Sequence, residues 1–114
     1  MKKRTYELWQ LAPTHNNIFK KYDEDMDIDI FDYVGVYRDE FDSMYDDKDE
    51  CEELYDTFNL TNPPHYAGRS MSMSDIVRMY DVEGERMTNE KFYYCDFVGF
   101  IDITNKISKS KKYW

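Results

Sequence analysis

Apolar and polar residues alternate from Thr5 to Leu11, with Tyr6, Leu8 and Gln10 on one side and Thr5, Glu7, Trp9 and Leu11 on the other. A period of two with large side chains on both sides predicts a strand buried on both faces, and Pro13 ends it. From Asn16 to Tyr22 the spacing changes: Ile18, Phe19 and Tyr22 follow Thr14 at helical intervals, which predicts one or two helical turns capped by Thr14. Ile30 to Tyr37 is rich in β-formers and predicts a second strand, with Gly35 marking a bulge or the close approach of a neighbouring backbone. The clearest helix runs from Asp49 to Phe58, where Cys51, Leu54, Tyr55 and Phe58 fall at i, i+3, i+4 and i+7 and make one apolar stripe. Asp49 and Glu52 suit a capping box, and the early acids suit the positive end of the helix.

Asn62, Pro63 and Pro64 break that helix, because proline disfavours the helical conformation before it and lacks an amide donor. A loop is expected to Gly68, followed by alternation from Ser70 to Ser74. An extended run from Asp75 to Val82 then ends at Glu83, Gly84 and Glu85. A second extended run, Lys91 to Ile103, is expected to pair with it as a hairpin across a loop of about seven residues, longer than is usual. Asn105 to Trp114, with Lys106, Lys109, Lys111 and Lys112, reads as a solvated tail. The fold class that follows is α+β: a small, mainly antiparallel sheet with one firm helix at about residues 49–59 and one or two weaker helical segments. Residues 1–104 form the expected single domain and 105–114 a basic, flexible tail.

Composition sharpens the picture in one respect. The chain has 114 residues and a formal charge of −9, and the segment from Asp23 to Asp56 holds sixteen acids against two bases, Arg38 and Lys48. Aromatic residues make up 18% of the chain, so this anionic stretch has the apolar material to fold and does not read as a disordered polyanion. Direct binding to nucleic acid or to an anionic membrane is disfavoured, since phosphates reward clustered Lys and Arg. The expected partner is a basic protein surface. Cys51 and Cys95 lack metal or redox spacing and point to a reduced cytoplasmic setting, with their pairing left open. No apolar run has the length of a membrane span.

Several residue sets invite chemical readings that the spacing does not sustain. Asp23, Asp25, Asp27 and Asp29 alternate as in a calcium loop, but such a loop needs Gly sixth and Glu twelfth, where this chain has Ile28 and Val34, or Ile30 and Val36. Ser70, Ser72 and Ser74 with His15 or His65 lack the elbow and the oriented base that a serine nucleophile needs. They fit backbone hydrogen bonding better, with Asp75 making a turn bond. His15, His65, Cys51 and Cys95 would hold zinc only if four separate elements converged. No catalytic residue, metal or cofactor is therefore expected.

One resemblance covers nearly the whole chain. Its residues are Leu54-Tyr55-Asp56-Thr57-Phe58-Asn59, Asn62-Pro63-Pro64, the stretch Gly68-Arg69-Ser70-Met71-Ser72-Met73-Ser74-Asp75-Ile76-Val77, and Tyr94-Cys95-Asp96-Phe97-Val98-Gly99-Phe100. Upstream, Tyr6-Glu7-Leu8-Trp9-Gln10-Leu11, Phe19 and Asp32-Tyr33-Val34-Gly35-Val36-Tyr37 fit the same pattern. The chain resembles the YodL-like domain of Gram-positive bacteria, their phages and conjugative elements. Arg69 stands where that pattern has His and Phe97 where it has Ser, so any chemistry shared by that His and Ser is absent here. The resemblance implies a small accessory protein acting on a host system.

Two functional readings follow. In the first, the chain is an anti-CRISPR-type inhibitor whose carboxylates stand in for phosphates in the nucleic-acid groove of a host defence protein such as a nuclease. Asp23, Asp25, Asp27, Asp39, Asp42, Asp46, Asp47, Asp49 and Glu50 would carry that contact, with Tyr45 adding hydrogen bonds and cation–π contacts to arginines. In the second, it is a non-catalytic interaction module in which the Gly68–Asp75 loop and the hairpin bind and the acids are incidental. Side chains alternate across a strand, so the acids cannot all share one face.

Overall fold

The doubly buried stretch at the start of the chain becomes the second strand of a five-stranded antiparallel sheet, flanked on both sides by other strands. A computed structural model describes residues 3–42, 46–64, 66, 68–97 and 99–107. In chain order the strands are β1 (Lys3–Leu11), β2 (Tyr33–Asp42), β3 (Ile76–Glu83), β4 (Arg86–Asp96) and β5 (Gly99–Asp102), and they lie side by side as β2-β1-β3-β4-β5. The single α-helix among the described residues, α1 (Asp47–Asp56), continues as a π-helical turn, Thr57–Thr61. Asn62 closes that turn by donating its amide to the Thr57 carbonyl, and Pro63 follows. The architecture is α+β.

The two faces of the sheet have separate cores. On one, Cys51, Leu54 and Phe58 of the helical segment cover Tyr6, Leu8, Phe41, Val77, Met79 and Tyr93. On the other, Met26 and Ile28 from the loop before β2, with Ile103 and Ile107 from the chain end, cover Leu11, Tyr33, Ile76, Phe92 and Tyr94. Tyr55, placed in the apolar stripe by its spacing, stands 41% exposed instead.

Several boundaries differ from those the pattern predicts. Residues 16–22 form no helix. Ile18 and Lys20 donate to carbonyls three residues back, and Phe19 takes a left-handed φ of 61°, which stops propagation after isolated turns. Ile30–Asp32 is a 3₁₀ turn capped by the Asp29 carboxylate, and β2 begins at Tyr33 and runs on through the charged stretch to Asp42. That extension escapes a hydrophobic pattern because β2 is an edge strand with mostly solvated side chains. The expected irregularity at Gly35 is present: Leu8 pairs with Tyr37 and Trp9 with Gly35, leaving Val36 unpaired in a bulge. A Cβ on Gly35 would lie 3.4 Å from the Trp9 ring.

The predicted loop of the β3–β4 hairpin is really strand. Glu83 pairs with Arg86 across the two residues Gly84 and Glu85, and Gly84 supplies the positive φ of 64° that such a turn needs. The run from Lys91 to Ile103 is not one strand either, because it folds back after Asp96 so that Cys95 pairs with Phe100 and Tyr93 with Asp102. The helix is capped by Asp46, whose Oδ1 accepts from the Asp49 amide at 3.0 Å, in place of the predicted Asp49–Glu52 box. Arg4 locks the helix start to the sheet: Nη1 donates to Asp81 at 2.9 Å and Nη2 to Asp47 at 3.1 Å, while Tyr93 donates to Asp47 at 3.0 Å. At the chain end, Lys106 donates to the Tyr22 hydroxyl at 2.9 Å and Ile107 is buried, so the tail is anchored to that point; residues 108–114 lie outside the described set. Among the described residues no helix is long and apolar enough to cross a membrane.

Candidate protein-binding surfaces

The acidic segment is distributed over three elements and both faces of the sheet. Asp23, Asp25 and Asp27 are exposed on the loop that covers the face opposite α1, where the intervening Met26 and the following Ile28 point inward as anchors. Within that loop the Asp23 carboxylate accepts from the Asp25 amide at 2.9 Å. Asp42 is 3.3 Å from Lys3, and Asp32 is 3.4 Å from the His15 ring. Asp47 is turned inward to Arg4 and Tyr93 and is committed to the fold. Tyr45 lies outside the described residues.

A smaller group comes together on the α1 side. Asp39 pairs with Tyr6 in the register of β1 and β2, and antiparallel partners share a face, so its carboxylate stands on the helix side of the sheet. Burial raises the Tyr6 hydroxyl pKa, and Tyr37, Asp39 and Glu50 push it further. The Glu50 carboxyl is itself raised by partial burial and by Glu53. Asp46 and Asp49 are exposed on the first turn of the same helix. Of the two bases of the segment, Arg38 pairs with Glu7 on the opposite face of the sheet, while Lys48 stands on the first turn of α1. Among the described residues, Asp39, Asp46, Asp49, Glu50 and Glu53 take part in no ion pair.

A second feature is a cleft of about 610 Å³ between the outer half of α1 and the turn joining β4 to β5. Glu52, Tyr55 and Asp56 form one wall, and Asp96, Phe97 and Phe100 the other. Phe97 is 77% exposed. The Asp96 carboxylate accepts from the Tyr22 amide at 2.8 Å and is held toward the layer opposite α1. Ser72, at the base, has a buried hydroxyl with no hydrogen-bond partner among the described residues. Cys95 also lines the cleft as a free thiol whose pKa burial, then Asp75 and Asp96, push up to about 12, and Cys51 is buried and free as well. Both are neutral thiols at ordinary pH, not activated nucleophiles.

The Gly68–Asp75 stretch is a bonded hinge beneath this cleft. Gln10 donates to the Arg69 carbonyl and to Asp75 Oδ2, each at 3.0 Å, and accepts from the Arg69 amide. Asp75 Oδ2 also accepts from the Ser72 amide, which is the expected turn bond, and Ser74 Oγ accepts from the Phe19 amide at 3.0 Å. His15 accepts from the Asn17 amide and faces Asp32, on a different element, and His65 lies outside the described residues. Met71 is 1% exposed and belongs to the core, while Met73 reaches the cleft. Arg69 donates to the Leu11 carbonyl and lies over the Phe19 ring, away from the cleft lining that Phe97 joins. No group of three or more His, Cys, Asp and Glu among the described residues is arranged to hold a metal ion.

The cleft is not legible in the sequence because Tyr55 reads as part of the buried helix stripe, Phe97 as core and Glu52 as a capping-box residue, and nothing in the spacing brings α1 beside the turn after Asp96. The available signal was Phe97 itself, a large apolar side chain between Asp96 and Gly99 in a turn. A family model, the YodL-like domain, matches residues 5–105, a span that takes in nearly every described element of the fold. No curated protein and no solved structure matches the chain. On the strength of the family match, the chain belongs to the YodL-like domain family.

Proposed function

We propose that this domain inhibits a host nucleic-acid-binding protein of the anti-CRISPR-target kind, by setting carboxylates against the Lys and Arg side chains that would otherwise hold phosphates. The observation that carries the reading is that Asp39 stands on the helix side of the sheet, where the start of α1 carries Asp46, Asp49 and Glu50, and that none of the four is in an ion pair among the described residues. Uncompensated neighbouring carboxylates repel one another, and a partner's cations relieve that repulsion on binding. The contact set narrows accordingly to Asp39, Asp46, Asp49 and Glu50. Asp47 and Asp42 already have cationic partners within the chain, and Asp23, Asp25 and Asp27 belong to the opposite layer.

The test is capture of nucleic-acid-binding proteins from a bacterial host lysate at low and high salt, with the wild type and with Asp39, Asp46, Asp49 and Glu50 all changed to Lys. The expected result is a nucleic-acid enzyme retained only at low salt and lost with the fourfold variant. Retention by that variant would sink the reading. The second reading, a non-catalytic interaction module, draws support from the cleft, whose lining shares no residue with the acidic group. It expects a salt-resistant partner that is lost on Met73→Asp and kept by the fourfold variant.

A further inference from the structure

The cleft beside α1 combines two chemistries that seldom coincide by accident of folding. Its walls carry aromatic rings from opposite sides, Tyr55 from the helix and Phe97 and Phe100 from the β4–β5 hairpin. Its charged lining residues are all acids, of which Glu52 and Asp56 on α1 present their carboxylates to it, while the Asp96 carboxylate is bonded to the Tyr22 amide on the opposite layer. We infer that this cleft binds an arginine side chain presented by an extended segment of a partner protein, at a site independent of the acidic group around Tyr6.

Charge complementarity selects the occupant. An apolar side chain would use the rings but strip water from the two helix carboxylates without replacing its hydrogen bonds. An anion would be repelled. A lysine ammonium would neutralise charge, yet it is a compact, strongly hydrated point charge with little to gain from a ring face. A guanidinium satisfies both requirements, since its plane stacks on an aromatic ring while its edge donates paired N–H bonds to a carboxylate. Glu52 and Asp56, one helical turn apart on α1 and flanking Tyr55, supply the carboxylates for such a pair. Phe97, 77% exposed, is a large apolar surface that the fold itself leaves uncovered. A volume of about 610 Å³ accommodates one long side chain with a few flanking residues of backbone.

The probe is a five-residue peptide, acetyl-Gly-Gly-Arg-Gly-Gly-amide, titrated into the full chain at physiological ionic strength while amide shifts are followed by NMR. Peptides with Lys, citrulline or Leu in place of Arg serve as comparisons. The arginine peptide is expected to shift Tyr55, Phe97 and Gly99 saturably, to bind about fivefold to tenfold more tightly than the lysine peptide, and to lose binding when citrulline replaces arginine. Phe97→Ala, at a side chain the core does not use, should weaken the arginine peptide several-fold and leave thermal unfolding unchanged. Asp56→Asn should weaken it too, whereas the fourfold Lys variant at Asp39, Asp46, Asp49 and Glu50 should still shift the same amides. Equal binding of the Arg and Lys peptides, or tighter binding of Leu, would overturn the assignment. So would an absence of shifts in the cleft, or shifts that depend on protein concentration alone and so indicate a second copy of the chain.

Discussion

Asp75 is fully buried, yet it holds its hydrogen bonds through one oxygen: Oδ2 accepts from Gln10 and from the Ser72 amide, while Oδ1 has no partner among the described residues. Burial pushes its pKa from 3.8 up to about 6, against the lowering effects of Gln10, Ser72 and Arg69. The folded protein therefore binds the proton more tightly than the unfolded chain. The resulting stability is fully present below pH 3.8 and is lost as pH rises through about 6. The loss is on the order of 2 kcal/mol, taking 1.4 kcal/mol per pKa unit and discounting for relaxation of the site. Urea unfolding across that window should show the decline in the wild type. Asp75→Asn, whose side-chain carbonyl can keep both accepted bonds, should remove this component, so that the difference between the two proteins changes sign or slope between pH 4 and 6.5. A constant difference would place the titrating group elsewhere. The turn bond of Asp75 was legible because Ser and Asp near a glycine favour such bonds. Its burial was not, because the partner that buries it, Gln10, comes from β1 and is distant in sequence.

At the scale of elements, the start of α1 carries two separable duties. Asp46 caps the helix through the Asp49 amide, so Asp46→Ala should cost about 1 kcal/mol in urea unfolding, and Asp46→Asn, which keeps an acceptor, only a few tenths. If Asp46 also meets a partner's cation, Asn should weaken partner capture at almost unchanged stability, which separates capping from binding. The tie from Arg4 to Asp47 and Asp81 is a stronger constraint. Arg4→Ala removes a buried cation from beside Asp47 and Asp81 and should cost about 3–5 kcal/mol, whereas Lys3→Ala, which removes an exposed pair, should cost well under 1 kcal/mol. Similar effects from the two substitutions would mean that Arg4 does not anchor the helix. Elements with a buried face were readable: β1 from its two-sided pattern and α1 from Cys51, Leu54 and Phe58. The misread ones lie where the sheet is solvated. The charged half of β2 and the polar start of β4 have few apolar residues to mark a period, and their strand conformation comes from pairing with β1 and β3. The reversal after Asp96 was hidden for the opposite reason, since both arms of the turn are apolar.

For the whole molecule, the question is whether the net charge of −9 acts as a diffuse field or through one patch. The sequence showed the acidic segment plainly but not its division, because which acids share a face depends on strand register and on where the loop before β2 lies. The structure sets Asp39 on the helix side of the sheet with Glu50 and leaves Asp23, Asp25 and Asp27 on the other side. Two fourfold Lys variants separate the possibilities. One changes Asp39, Asp46, Asp49 and Glu50, and the other changes Asp23, Asp25, Asp27 and Glu85, which are exposed on other elements. Each moves the formal charge by eight, from −9 to −1, so long-range attraction to a basic partner weakens equally in both. A partner that reads a shaped patch should lose affinity for the first variant by a factor of 100 or more, on the order of 1 kcal/mol per contacted carboxylate. The second should bind within about tenfold of wild type, with most of the change in association rate and most of that change removed by salt. Equal losses in both would mean that the chain acts through bulk charge, and the acids around Tyr6 would then be no more than part of a solvated face.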